Sequence, residues 1–310
     1  MDTSDINPVI LLASLMVAST PILLAAIGEL VVEKSGVLNL GVEGMMIMGA
    51  VCSFATAYTT GSALLGILVG LYAGVATSML FAFLTQTLMT SQVATGLSLT
   101  LLGLGLSGLI GEGFTGLPGV KLESIHIPLL TDIPFIGPIL FGQDILVYIS
   151  LALIAATSYV LFRTRIGLVI NAVGNNHHSA HALGYGVVRV RYACIAFGGA
   201  CSGLAGAYLA LAYTTQWIES MSAGRGWIAL ALVVFSTWLP GRLLIGAYLF
   251  GTIWIMGLYV QGLGVGIPSQ LLSSLPYLVT IVVLVIISGN RSLIRVNTPA
   301  MIGQPFAPER

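Results

Sequence analysis

Between Gly44 and Gly111 the sequence has no aspartate, glutamate, lysine, arginine or histidine. A bilayer core is about 30 Å thick and takes about 20 helical residues to cross, so this one interval is long enough for about three crossings. A soluble surface of that length needs charge, and a soluble fold is excluded. Charge is scarce elsewhere too: Asp, Glu, Lys and Arg make 7% of the chain against 57% hydrophobic residues, and the formal balance is +0. That leaves no basic footprint, and nucleic acid is not an expected partner. Only three cysteines occur, Cys52, Cys194 and Cys201, in apolar runs without metal-ligand spacing, so they read as packing residues. The opening MDTSDINP holds two acids and no base and does not read as a signal peptide. Period-two alternation is missing as well, which rules out a membrane β-barrel. No nucleophile-and-base set, phosphate loop or intramembrane His/Asp chain is present. Neither enzyme activity nor a cofactor nor a metal is expected.

What is present is a set of apolar windows bounded by charge. Ile6–Gly28 fits one span. Gly44–Gly111 fits three, with breaks near Thr59–Ser62 and Gln86–Gln92. Ile145–Phe162 and Tyr192–Ile218 fit one each. Gly226–Gly241, held between Arg225 and Arg242, is either a short span with snorkelling arginines or a broken helix. Leu243–Asn290 fits two, parted by Gly262–Pro268. The expected fold is all-α: one transmembrane domain over residues 1–310, with about nine (8–10) spanning helices and a short cytoplasmic helix. Basic residues set the orientation. Arg163, Arg165, Arg189 and Arg191 share one loop without an acid, and Arg291, Arg295 and Arg310 share the tail, so both are expected inside. The acid-rich loop Glu112–Asp144 is expected outside, and the same count puts Lys34 inside. Small residues recur every fourth position at Gly66, Gly70 and Gly74 and at Gly198, Ser202 and Gly206. Such ridges serve either packing within the bundle or a dimer face.

Three constellations carry candidate chemistry. The first runs from Gly28 to Met46 and contains Glu29, Glu33, Lys34 and Glu43, with Gly36 and Gly41 breaking any long helix. Glu33, Gly36, Asn39, Gly41 and Glu43 make it either an intramembrane hinge on a substrate path or a solvated turn with a cap. Glu43 at a helix start would meet a favourable dipole. The second is the basic loop, where Asn175 and Asn176 are good N-caps and Gly184 a good helix-terminating glycine. A helix over His177–Leu183 is too short to stand alone. Its small apolar face, Ala180 and Leu183, serves either a partner or its own bundle. His177, His178 and His181 lack a nearby Cys, Asp or Glu to complete a metal site. The third is Tyr213–Glu219 with Arg225 and Trp227, an aromatic interfacial belt or a polar mouth.

Five segments carry a resemblance. Gly28–Ala50, GELVVEKSGVLNLGVEGMMIMGA, resembles the signature of permease subunits of bacterial ABC importers for simple sugars and nucleosides, a branch of the branched-chain amino-acid permease family. Ser91–Gly111 is similar to the family's central span. Arg163–Tyr192 is similar to its ATPase-docking loop, although Asn171 stands where the family has Arg and His177 where it has Pro. CSGLAGAYLAL and GWIALALVVFSTWLPGR match as well. The resemblance implies a transport subunit of the bacterial cytoplasmic membrane that carries nucleosides, or simple sugars. It implies a separate ATP-binding cassette ATPase, a second and different permease subunit and an extracytoplasmic binding protein as partners. It assigns ATPase coupling to Asn175, Asn176, His177, Ala180, Leu183 and Gly184. A polar path would draw on Ser98, Thr100, Tyr213, Thr214 and Gln216. The competing expectation is an ion-coupled secondary transporter, which needs a coupling-ion site of its own on broken helices.

Overall fold

The computed structural model describes residues 8–125, 131, 133, 137–262, 268–288 and 297–307. In hydrocarbon each backbone polar group must be satisfied within its own segment, and these residues answer with helices. They are α1 (Pro8–Lys34), α2 (Val42–Thr60), α3 (Ala63–Ala82), α4 (Gln92–Gly111), α5 (Ile145–Arg163), α6 (Arg165–Asn175), α7 (His177–Ala182), α8 (Val187–Tyr208), α9 (Arg225–Phe235), α10 (Pro240–Gly262) and α11 (Ser269–Ser288). Among the described residues the extended pairings are two isolated bridges, Pro118 with Gln216 and Ser124 with Asp144. Six helical stretches among the described residues are long and apolar enough to cross a membrane. Beside them stand α2, at 19 residues, the 11-residue apolar α9, and α11, whose apolar stretch is Gln270–Val283. Arg291, Arg295 and Arg310 of the expected inside tail, Asp132 of the outer loop and residues 263–267 lie outside the described residues.

The helix ends follow local chemistry. Ser62, Ser91, Asp144, Thr164 and Asn176 each accept a backbone N–H of the helix they open. The breaks expected near Thr59–Ser62 and Gln86–Gln92 fall where α2 ends at Thr60 and α4 begins at Gln92. α3 and α8 each finish in a π-helical turn, Phe83–Thr87 and Leu209–Tyr213.

α8 is the central post. Its spanning window is 83% buried, against 33% for that of α3 and 28% for that of α4. Small residues on several of its faces allow this. Gly198 meets Gly28 of α1, Gly199 and Gly203 meet Gly70 and Gly74 of α3, and Gly206 meets Met46 of α2. A side chain at Gly74 would collide with the backbone of Gly199 and Gly203. The four-residue ridges thus pack inside the bundle, as backbone-to-backbone contact requires.

Two segments interrupt the helices. α1 ends at Lys34 beside Gly174 of the basic loop, and residues 35–41 then leave the helix, with turns at Ser35–Gly36 and Leu40–Gly41, before α2 begins. These residues sit against α4: the Thr100 hydroxyl donates to the Leu40 carbonyl at 3.0 Å and Leu38 N–H to the Gln92 side chain at 2.8 Å. From the other end, residues 214–224 leave α8 as an irregular strip, with Thr215, Ser220, Ala223 and Gly224 at positive φ. The strip hands over to α9, which has 11 residues. At 1.5 Å per residue α9 rises about 16 Å, half the hydrocarbon thickness. The window between Arg225 and Arg242 is therefore a broken helix, closed by a turn in which Thr237 and Trp238 have φ of 50° and 55°.

Candidate functional site

The two interruptions converge on Glu43. This residue is the second of α2, as the dipole argument places it, but its carboxylate serves a different helix. Oε1 accepts from the Ser222 hydroxyl at 2.5 Å and from Gly224 N–H at 2.9 Å, and Oε2 accepts from Gly226 N–H at 2.6 Å. Three bonds to one buried anion at the start of α9 combine charge-assisted hydrogen bonding with a favourable helix dipole. The approach is close enough that a Cβ at Gly226 would lie 2.7 Å from the Glu43 Cα. Around this knot Arg225 is buried, with its guanidinium 4.0 Å from the Trp254 ring centre and 5.1 Å from that of Tyr213. The Tyr277 hydroxyl donates to the Ala223 carbonyl at 3.1 Å.

The rest of the acidic motif is equally dry. Glu29, Glu33, Lys34 and Glu43 are 1%, 1%, 7% and 4% exposed, so this is no solvated turn. Glu33 accepts from the Trp238 indole N–H at 2.5 Å, tying α1 to the turn after α9. Glu29 accepts from Asn39 N–H at 3.3 Å, while Lys34 donates to the Asn297 carbonyl at 3.1 Å, so each acid and the lysine have partners other than one another. The Asn39 side chain accepts from Gly41 N–H at 2.9 Å, a local turn that launches α2. Gly36 holds φ of +83° against Arg191 and Met301.

A second centre joins the basic loop to this motif. Asn176 caps α7 by accepting from Ser179 N–H at 3.0 Å. Gly184, at φ +88°, ends it with Gly184 N–H to the His181 carbonyl and Tyr185 N–H to the Ala180 carbonyl, the paired bonds of a Schellman motif. Ala180 and Leu183 do not share a face. Ala180 is buried against Val173, Val187 and Phe306, whereas Leu183 is 77% exposed. The rings of His177, His178 and His181 surround Phe306. Among the described residues no three groups of metal-ligating type converge. Burial, then the neighbouring Arg191 and His178, push the His177 pKa down to about 4, so its imidazole is neutral near pH 7.

Arg191 is the link. Fully buried, it donates to the Ser35 carbonyl at 3.3 Å, the Gln86 side chain at 3.4 Å and the Gln304 carbonyl at 3.0 Å. It also pairs with His177 Nδ1 at 3.2 Å. One guanidinium thus holds the interruption after α1, the end of α3, the short loop helix and the chain's last described segment.

The residues assigned to a polar path are spread out. Ser98 and Gln216 are exposed, and Thr100 faces the interruption at Leu40. Thr214 folds back on Leu209 and Gln216, and Tyr213 lies beside Arg225. Asn175 is exposed at the end of α6. Sequence reasoning left out Ser222, Gly224, Gly226, Trp238 and Phe306, and treated Arg191 as an orientation marker. One signal was available: an acid in an apolar stretch needs a partner, and Ser222-Ala223-Gly224-Arg225-Gly226 is a donor-rich segment in an otherwise apolar half.

Residues 11–289 match the family model described as branched-chain amino acid transport system / permease component. A putative glucose ABC transporter permease protein of Haloferax volcanii is 37% identical, covering 96% of this chain and 97% of its own. A nucleoside ABC transporter permease protein of Lactococcus lactis subsp. cremoris is 33% identical over 91% and 93%. A guanosine ABC transporter permease protein of Bacillus subtilis is 31% identical over 99% and 98%. No solved structure matches.

Proposed function

The chain belongs to the family of permease components of branched-chain amino acid transport systems, and from that premise we propose that it is the membrane subunit of an ATP-driven importer of nucleosides. The observation that carries the reading is the full-length likeness to permeases named for nucleosides and guanosine. Simple sugars are the second reading, favoured by the 37% identical relative named for glucose. The chain is a transport subunit and not an enzyme. ATP hydrolysis belongs to a separate ATPase, substrate arrives from an extracytoplasmic binding protein, and a second permease subunit completes the path in the bacterial cytoplasmic membrane.

The contacts supply a route for the coupling. The ATPase docks on the exposed side of α7. Its motion passes through the Ala180–Phe306 packing to His177 and Arg191, and Arg191 pulls on Ser35. The interruption after α1 then shifts α2, whose Glu43 holds the start of α9. The ring of Tyr213, Trp254, Arg225 and Tyr277 around that start suits the flat base of a nucleoside, since aromatic faces stack without demanding a tight hydrogen-bond cage.

Two measurements test this. Labelled nucleosides and glucose are followed into cells with and without the subunit. Nucleoside accumulation should need this chain, its partner subunits and ATP. Loss of glucose uptake with nucleoside uptake intact would replace the substrate, and uptake by the purified chain on an ion gradient alone would replace the mechanism. The loop helix gives the other. Leu183→Glu should leave folding unchanged and weaken ATPase binding at least tenfold, because a charge enters a partner-facing apolar spot. Ala180→Glu should destabilise the loop itself by about 3 kcal/mol, the cost of an unpaired buried charge. Normal ATPase binding by the Leu183 variant would move the docking surface elsewhere.

A further inference from the structure

Sharing no residue with the Glu43 cluster, a groove of about 700 Å³ opens between α1, α5, α6 and α8. Its walls are apolar, with Val31, Leu161, Ile170 and Phe197 from the four helices, and Arg165 and Tyr185 also line it. It runs along α5 from Leu153 to Leu161. At 1.5 Å per residue this is about 12 Å, most of the depth of one leaflet's hydrocarbon. Arg165 is exposed and makes no hydrogen bond or ion pair among the described residues. Arg163 and Arg189 are exposed in the same loop, which holds no acid between Arg163 and Arg191. Beside the groove, α6 exposes Ile166 and Leu168 by 66% and 69%, apolar side chains that suit a helix lying in the headgroup layer rather than in water.

We propose that this groove holds one acyl chain of an anionic phospholipid from the leaflet facing the basic loop, with the headgroup phosphate on Arg165. The depth, the apolar lining and an unpaired cation at the mouth match the three parts of such a lipid in order. Basic pockets between spans on the positive side are the recognised setting for anionic headgroups. A zwitterionic lipid fills the walls and offers the same phosphate, but its own headgroup ammonium offsets that charge beside the guanidinium, and a soluble phosphate satisfies the guanidinium but leaves the walls empty.

The test is native mass spectrometry of the full chain from nanodiscs holding equal amounts of phosphatidylglycerol and phosphatidylcholine with identical acyl chains. It needs no transport, so it stands or falls independently of the substrate and the coupling route. One phosphatidylglycerol per chain should survive mild delipidation, at least fivefold over phosphatidylcholine. Arg165→Gln, at an exposed position, should bring that preference below twofold. Ala193→Trp, which fills the groove from α8, should cut retention of both lipids at least fivefold. Equal retention of the two lipids by the unaltered chain overturns the proposal, as does an unchanged preference in Arg165→Gln. Loss of the bound lipid on assembly with the second permease subunit also overturns it, because a protein then occupies the groove.

Discussion

Arg191→Met is expected to separate ATP hydrolysis from transport. The replacement fills much of the same volume but removes every donor, so Ser35, Gln86, Gln304 and His177 lose a shared partner. Each buried acceptor left without its donor costs about 1–3 kcal/mol. Much of that loss falls on the joint between loop and interruption rather than on the spans, whose helices are satisfied within themselves. In vesicles holding the proposed assembly, hydrolysis should persist while accumulation of the proposed substrate falls by a factor of 100 or more. Arg191→Lys should recover only part, since a single ammonium cannot reproduce the planar fork that reaches four segments. Normal accumulation in the methionine variant would remove Arg191 from the transmission route.

The other large effect belongs to Glu43. Glu43→Ala leaves the N–H groups of Gly224 and Gly226 and the Ser222 hydroxyl without their acceptor in a dry site. Each unsatisfied buried donor costs about 1–3 kcal/mol, so α9 loses on the order of 5 kcal/mol of anchoring. Uptake should stop, and hydrogen exchange over residues 222–228 should accelerate while α8 stays protected. Glu43→Gln is the sharper variant. Its amide keeps one acceptor oxygen but turns an NH2 group toward a backbone donor, so partial anchoring and reduced uptake are expected. Exchange rates equal to those of the unaltered chain in both variants would mean that the carboxylate does not hold the start of α9.

The spans were legible because hydrocarbon punishes charge: Asp, Glu, Lys and Arg bound the apolar windows, and polar or glycine-containing breaks such as Thr59–Ser62 divide the charge-free ones. Caps were legible for the same local reason: Asn176 and Gly184 act within three or four residues of themselves. What could not be read was pairing at a distance. Glu43 looked like a cap for its own helix, and only the fold brings Ser222, Gly224 and Gly226 to it. Arg191 resembled any arginine of a basic loop; its burial depends on four segments remote from one another meeting around it. Ala180 and Leu183 looked like one apolar face, yet a helix of six residues has no lasting face, and Phe306 decides which side is inward. The polar path was assembled from residue type, which says nothing about direction, and the five residues are accordingly spread from the exposed Ser98 to Thr100 at the interruption.

Where Gly70 and Gly74 lie against Gly199 and Gly203, no side chain stands between the two backbones. Side chains are the bearings on which helices roll, and this contact has none. Sliding by one turn would drive bulkier neighbours into main chain, so α3 and α8 behave as a single rigid frame. Work delivered from outside the membrane cannot be stored in that frame or spread through it. It must be taken up at the two unwound joints, residues 35–41 and 214–224, with α9 swinging between them like a shutter hung on a fixed post.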